Sequence, residues 1–193
     1  MNIRNESLNR LHNHIETAGR MEAIIDQIVL AVEQVVLTFR SGGKVLLAGN
    51  GGSAADAQHW AAEWVIRLSH KLNRSAMPAI SLATDTSILT AGGNDIGFEN
   101  IFARQVEALG SGGDLLIVIS ASGNSGNLVK AVDLAKAKKV KALGILGNDG
   151  GELAPLCDLS VIIPSNDTQR IQEMQEFVGH LLCELSELAL YDE

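Results

Sequence analysis

The period of the apolar positions changes several times along the chain, and each change predicts an element. Over the first 40 residues the pattern is helical. In its second half Ile24, Ile25, Ile28, Val29, Val32, Val35, Val36 and Phe39 recur at helical spacing, and Ser-Gly-Gly at 41–43 stops the run. Five short β-rich runs follow, at 44–48, 79–82, 114–120, 141–146 and 159–163. Between them 53–68, 98–109 and 125–138 read as helices, and a last helix is expected over about 168–190. Strands that are apolar throughout and alternate with helices imply a parallel sheet covered on both faces. Ligands of such α/β folds gather at the carboxyl ends of the strands. The loops at 49–53, 84–95, 120–125 and 164–170 are therefore where the chemistry is expected.

Composition narrows the class without changing this picture. A chain of 193 residues is most simply one domain with a substantial core. Only 4% of it is aromatic, so Ala, Val, Ile and Leu must make up most of that core. The formal charge is −8 and there is no Lys/Arg run, which argues against a broad nucleic-acid footprint. Cys157 and Cys183 are too few for a disulfide framework or a thiolate zinc site. The polar N-terminus is neither a signal peptide nor an anchor, and no apolar run approaches the ~18 residues of a membrane span. A cytoplasmic protein is expected.

The loop Gly49-Asn50-Gly51-Gly52-Ser53 joins a strand to a helix. Its glycines allow a ligand close to the backbone, and the free amides of the helix start favour an anion; a tight turn capped by Ser53 explains the same residues. The segment fits the loose dinucleotide fingerprint, but no acidic residue lies about 20 positions on at a second strand end, and no P-loop is present. Ser120, Ser122 and Ser125 crowd the start of the helix after the most apolar strand. Three hydroxyls with free amides suit a phosphate monoester held by neutral donors.

His59 and Glu63 are neighbours on one helical face, as metal ligands, an acid/base pair or a solvated ion pair. Gln172, Glu176 and His180 form a second stripe at intervals of four, in which His180 borders an apolar seam. Gln172 and His180 lie about 12 Å apart along a regular helix, so spacing alone does not propose that they share an ion. Asn94 and Asp95, in the Gly- and Asn-rich stretch 92–100, read as a turn able to bind sugar hydroxyls.

Taken together, GNGGSAADAQHWAAE, GGNDIGFEN, ISASGNSGNLVKA and RIQEMQEFVGH resemble, in the same order from about Lys44 onward, the sugar isomerase (SIS) domain of bacterial phosphoheptose isomerases. The resemblance implies a single three-layer SIS domain over 1–193, with a five-stranded parallel sheet flanked by helices. It also implies a homotetramer in whose packing the N-terminal helices (1–40) take part. The implied reaction is conversion of sedoheptulose 7-phosphate to D-glycero-D-manno-heptose 7-phosphate through an enediol, an early step towards the heptose of lipopolysaccharide or of nucleotide-activated heptoses. By motif match Asn50, Gly51, Gly52, Ser53, Asn94 and Asp95 bind substrate, and Ser120, Ala121, Ser122 and Ser125 form the phosphate loop. Glu63 and Gln172 also contact substrate. Zinc is held at the positions of His59, Glu63, Gln172 and His180, with Glu63 as base and His180 as acid.

Two positions depart from the family pattern. Ala121 replaces the threonine common in the phosphate loop, and Thr168-Gln169 precede Arg170 where some members carry an acidic residue. A sister SIS group resembles this chain closely but binds the bacterial replication initiator and typically lacks the catalytic Glu and His. Arabinose phosphate isomerases are a third reading. Glu63 and His180 favour the isomerase. No direct nucleic-acid or membrane contact is implied.

Overall fold

The computed structural model describes residues 1–70 and 72–191; Lys71, Asp192 and Glu193, which the expected 1–193 domain includes, lie outside the described residues. Two helices lead, α1 (Ile3–Arg20) and α2 (Ile25–Arg40), joined by a 3-10 turn at Met21–Ile24. Asn2 caps α1 by accepting from Asn5 N. Strands and helices then alternate: β1 (Val45–Gly49), α3 (Gly52–Val65), β2 (Ala79–Ser81), α4 (Thr86–Asp95), α5 (Ile101–Leu109), β3 (Leu115–Ser120), α6 (Gly126–Ala137), β4 (Lys141–Leu146), β5 (Leu159–Ile162) and α7 (Thr168–Tyr191). The five strands form one sheet in the order β2-β1-β3-β4-β5, every pairing parallel. The expected five-stranded parallel sheet is present.

Strand alternation sorts the side chains into two cores. Val45, Leu47, Leu115, Ile117, Ile119, Leu143, Ile145 and Val161 face α2, α3 and α7. Leu46, Ala48, Leu116, Val118, Ala142 and Leu146 face α5 and α6. Helices thus cover both faces, which explains why the strands carry no polar alternation. Both tryptophans are placed where α3 meets α7. Trp60 and Trp64 are fully buried there, each worth of order 5 kcal/mol of transfer free energy. Their indole N–H groups stay satisfied by Glu176 (2.9 Å) and Ser186 (3.0 Å), both on α7.

One element differs from expectation. The stretch 84–95 was expected as a loop, with Asn94 and Asp95 in a turn, yet Thr86–Asp95 is helical. Asp85 caps it by accepting from Ile88 N (2.9 Å), and Gly92 sits against Ile101, where a Cβ would come within 3.0 Å of the isoleucine Cγ2. The glycines that suggested a turn serve close packing instead. None of its residues is buried, so the apolar periodicity that marks other helices is weak here. Among the described residues no helix is long and apolar enough to cross a membrane.

Candidate active site

Two loops leave adjacent parallel strands, paired up to Gly49 and Ile119, and lie side by side at the carboxyl edge of the sheet. After β1 the backbone turns through Gly51 at φ 57°, a conformation that favours glycine. At Gly52, the first residue of α3, a Cβ would lie 2.6 Å from the Gln172 amide nitrogen, so its absence lets α7 approach. After β3 the Ser120 hydroxyl accepts from Gly123 N (3.1 Å) and stands 3.5 Å from the Ser122 hydroxyl and 3.4 Å from that of Ser125. These serines, Ala121, Asn50, Ser53 and Gln172 line a cavity of about 220 Å³ that also includes Asn148 and Thr168. Among the described residues no Lys or Arg lines it. Hydroxyls, amides and the start of α6 are what it offers an anion.

Asn148 has a positive φ of 54° and donates from Nδ2 to the Ala121 carbonyl (2.7 Å), bracing the serine loop. Gly123 belongs to the same brace, since a Cβ there would meet the Gly150 carbonyl at 2.2 Å. Asn94 and Asp95 do not join this cavity. Both are exposed at the end of α4, with Asn94 Nδ2 donating to Asp95 Oδ1 (2.6 Å).

The second half of the site forms where α3 crosses α7. His59 faces two carboxylates: Nε2 is 2.9 Å from Glu63 Oε1 and Nδ1 is 2.6 Å from Glu176 Oε1. The same Glu176 oxygen is 3.1 Å from His180 Nε2, and the two imidazoles meet edge to face at 5.2 Å. The crossing is tight because residue 179 is glycine: a Cβ there would overlap Trp60 Cε2 at 1.9 Å. The end of α3 beyond Glu63 is held by the buried Arg74, which donates to the carbonyls of Glu63 (2.8 Å) and Trp64 (2.9 Å) and pairs with Glu187.

Ligand atoms of His59, Glu176 and His180 all lie within 4.8 Å of one another, a grouping able to hold a metal ion. The chemistry of the donors fits a divalent cation. A singly protonated imidazole can serve only one of the two carboxylates around His59, and Glu63 Oε2 is buried without a hydrogen-bond partner. Sequence reasoning placed Glu176 in the stripe but gave it no role, because its partners come from another helix. Gln172, one turn before Glu176, lines the serine cavity, whereas Glu176 and His180 border a second cavity of about 370 Å³ between α1 and α7. A single stripe of α7 therefore borders both cavities.

Asp56, one turn before His59 on α3, went unnoticed in the sequence. Burial, reinforced by negative Glu176 and opposed by His59, pushes its carboxyl up to about 6 from the ordinary 3.8. Its Oδ2 is buried without a partner. Because the folded-state value is raised, ionising Asp56 costs stability, and that cost develops as pH rises from about 4 through about 6. In chelator-treated protein, Asp56→Asn should be more stable than the parent by about 1–2 kcal/mol at pH 7.5 after allowance for partial exposure. The gap should close by pH 4, read by thermal denaturation across that range.

Comparison with known proteins places this chain in a family. The SIS domain family pattern matches residues 9–147. A phosphoheptose isomerase of Trichlorobacter lovleyi is 50% identical over 183 residues, covering 94% of this chain and 92% of that protein. The chain belongs to the SIS-domain phosphoheptose isomerases. Solved structures of family members agree. The phosphoheptose isomerase of Neisseria gonorrhoeae superposes with a TM-score of 0.89 at 37% identity, covering 96% of this chain and 98% of that one. The Francisella tularensis enzyme gives 0.92 at 33% identity, with the same coverages. The three-layer SIS fold expected from the sequence is thereby established, and the chain is an enzyme of the sugar-phosphate isomerase class.

Proposed function

We propose that this isomerase converts sedoheptulose 7-phosphate to D-glycero-D-manno-heptose 7-phosphate, with the phosphate in the serine cavity and C1 and C2 at the His59–His180 cluster. The observation that carries the reading is the α7 stripe. Gln172 borders a cavity suited to an anion, and Glu176 and His180, one and two turns on, belong to a cluster suited to proton transfer and a metal. Asn50, Gly51, Gly52 and Ser53 offer the backbone and side-chain polar groups of the first loop to the sugar phosphate. Ser120, Ala121, Ser122 and Ser125 receive the phosphate. Ala121 retains its backbone N–H and supplies no hydroxyl, so the three serines carry the hydroxyl contacts.

Ketose–aldose interconversion needs a base at carbon and an acid at oxygen. Glu63 takes a proton from C1 while His180 gives one to the C2 carbonyl oxygen, leaving an enediol. Return of a proton to C2 and loss of the O1 proton give the aldose. Zinc, held by His59, Glu63, Gln172 and His180, would polarise the carbonyl and stabilise negative charge on its oxygens. Glu63 cannot bind strongly and act as a free base at once, so it would be the weak member of that set. Glu176, on the Nδ1 side of His59 and against the Trp60 N–H, orients that imidazole. Glu176→Gln is expected to lower zinc affinity about tenfold to a hundredfold, read by competition with a chromophoric chelator. Replacement of either histidine by Ala should abolish stoichiometric zinc.

A homotetramer packed through the N-terminal helices is part of the same proposal. Ile3, Leu8, Leu11 and Ile15 of α1 and Val29, Leu30 and Leu37 of α2 are exposed, an apolar surface that assembly would cover. Asn94 and Asp95 are proposed to bind sugar hydroxyls in the assembled enzyme.

A substrate panel tests the reading. Turnover of sedoheptulose 7-phosphate without arabinose 5-phosphate isomerisation supports it. An inactive, zinc-loaded protein that captures the replication initiator in a pull-down would favour the non-catalytic alternative.

A further inference from the structure

We propose that Asn127 is a positioning residue of the active site, acting on the substrate through Asn50; the inference rests on the isomerase reading above. Asn127 lies in the first turn of α6 and is 4% exposed. It is the one polar residue among those buried on that helix, beside Leu128, Ala131, Val132 and Ala135. Its amide forms a closed pair with that of Asn50: Asn50 Nδ2 donates to Asn127 Oδ1 and Asn127 Nδ2 donates to Asn50 Oδ1, both at 2.9 Å. Asn50 lines the serine cavity and Asn127 does not. The buried amide therefore reaches any ligand only through its partner.

The pair matters because of what surrounds Asn50. Its loop is otherwise glycine as far as Ser53, so it contains little side-chain bulk to fix its path. The Asn50 side chain is bonded across to the helix that begins at the serine loop, joining the first loop to the element that follows the second. An amide has two N–H groups and two lone pairs, and the closed pair uses one of each. Asn50 thus keeps one donor and one lone pair for the sugar phosphate, in a plane set by Asn127. An apolar residue at 127 would fill the core equally well but would leave Asn50 free to turn.

The test is steady-state kinetics with sedoheptulose 7-phosphate on Asn127→Ala, Asn127→Asp, Asn50→Ala and the Asn50→Ala/Asn127→Ala double variant. Asn127→Asp keeps the volume and places an oxygen opposite the Asn50 oxygen, so it carries the test if the smaller residue fails to fold. Both Asn127 variants should raise KM about tenfold with kcat within about threefold of the parent, a binding loss without loss of chemistry. The double variant should match Asn50→Ala within about twofold, because Asn127 has no route to the substrate except Asn50. Parent-like KM in folded Asn127 variants would overturn the proposal while leaving the isomerase reading intact. So would losses that multiply in the double variant, since Asn127 would then act independently of Asn50. A parent protein that turns over no sedoheptulose 7-phosphate would remove both.

Discussion

Glu63→Gln should fold as the parent does and lose turnover by about 10²–10⁴, the range general-base catalysis supplies. Two features make stability the wrong explanation for such a loss. Glu63 Oε1 contacts only His59 among the described hydrogen bonds, and Oε2 is buried without a partner. Replacing the carboxylate by an amide of equal size therefore removes a buried charge without opening a cavity, and the melting temperature should stay level or rise. The backbone at Glu63 remains fixed by Arg74, so the helix end does not depend on the side chain. Kinetics and thermal denaturation of the same preparation check the prediction. Unfolding of Glu63→Gln would show that the carboxylate serves the fold.

Gly179→Ala should destabilise the protein by about 3 kcal/mol or more. The added Cβ would stand 1.9 Å from Trp60 Cε2 and 2.2 Å from Nε1, and the indole is fully buried against both helices. A rigid ring in a closed core cannot yield as a flexible chain end would, so α3 and α7 must separate. That crossing also brings His59 to His180 and Trp60 to Glu176, so zinc affinity and turnover should fall with stability. Gly19→Ala is the control. Nothing lies within 4 Å of a Cβ there, and because Gly19 is helical the change should be neutral or stabilising, by up to about 1 kcal/mol, in chemical denaturation.

Those two residues also mark how far the sequence could be read. The strands were legible because each is a short continuous apolar run, and the serine cluster because three serines stand at a helix start. His59 and Glu63 were legible as a pair because helical spacing alone makes them neighbours. Glu176 was visible in its stripe, yet its role depends on His59 and Trp60, more than a hundred residues away. Gly179 looked like any helix glycine, since only the tertiary crossing shows what occupies its missing side chain. Asn127 was silent for the same reason, its partner being 77 positions upstream. Helix α4 was missed because its Gly92-Gly93-Asn94-Asp95 end reads as a turn and none of its residues is buried, while Asp85 at its start was the local signal. Local chemistry is written locally; contacts made by folding are not.

The most direct test of the central claim is to incubate zinc-loaded protein with sedoheptulose 7-phosphate in heavy water and follow the aldose phosphate by mass-resolved derivatisation, with Glu63→Gln alongside. An enediol formed by Glu63 predicts a heptose 7-phosphate that acquires solvent deuterium at C2, and aldose formation slower by about 10²–10⁴ in the variant. A parent that forms no aldose, or a variant that forms it as fast, would contradict the account.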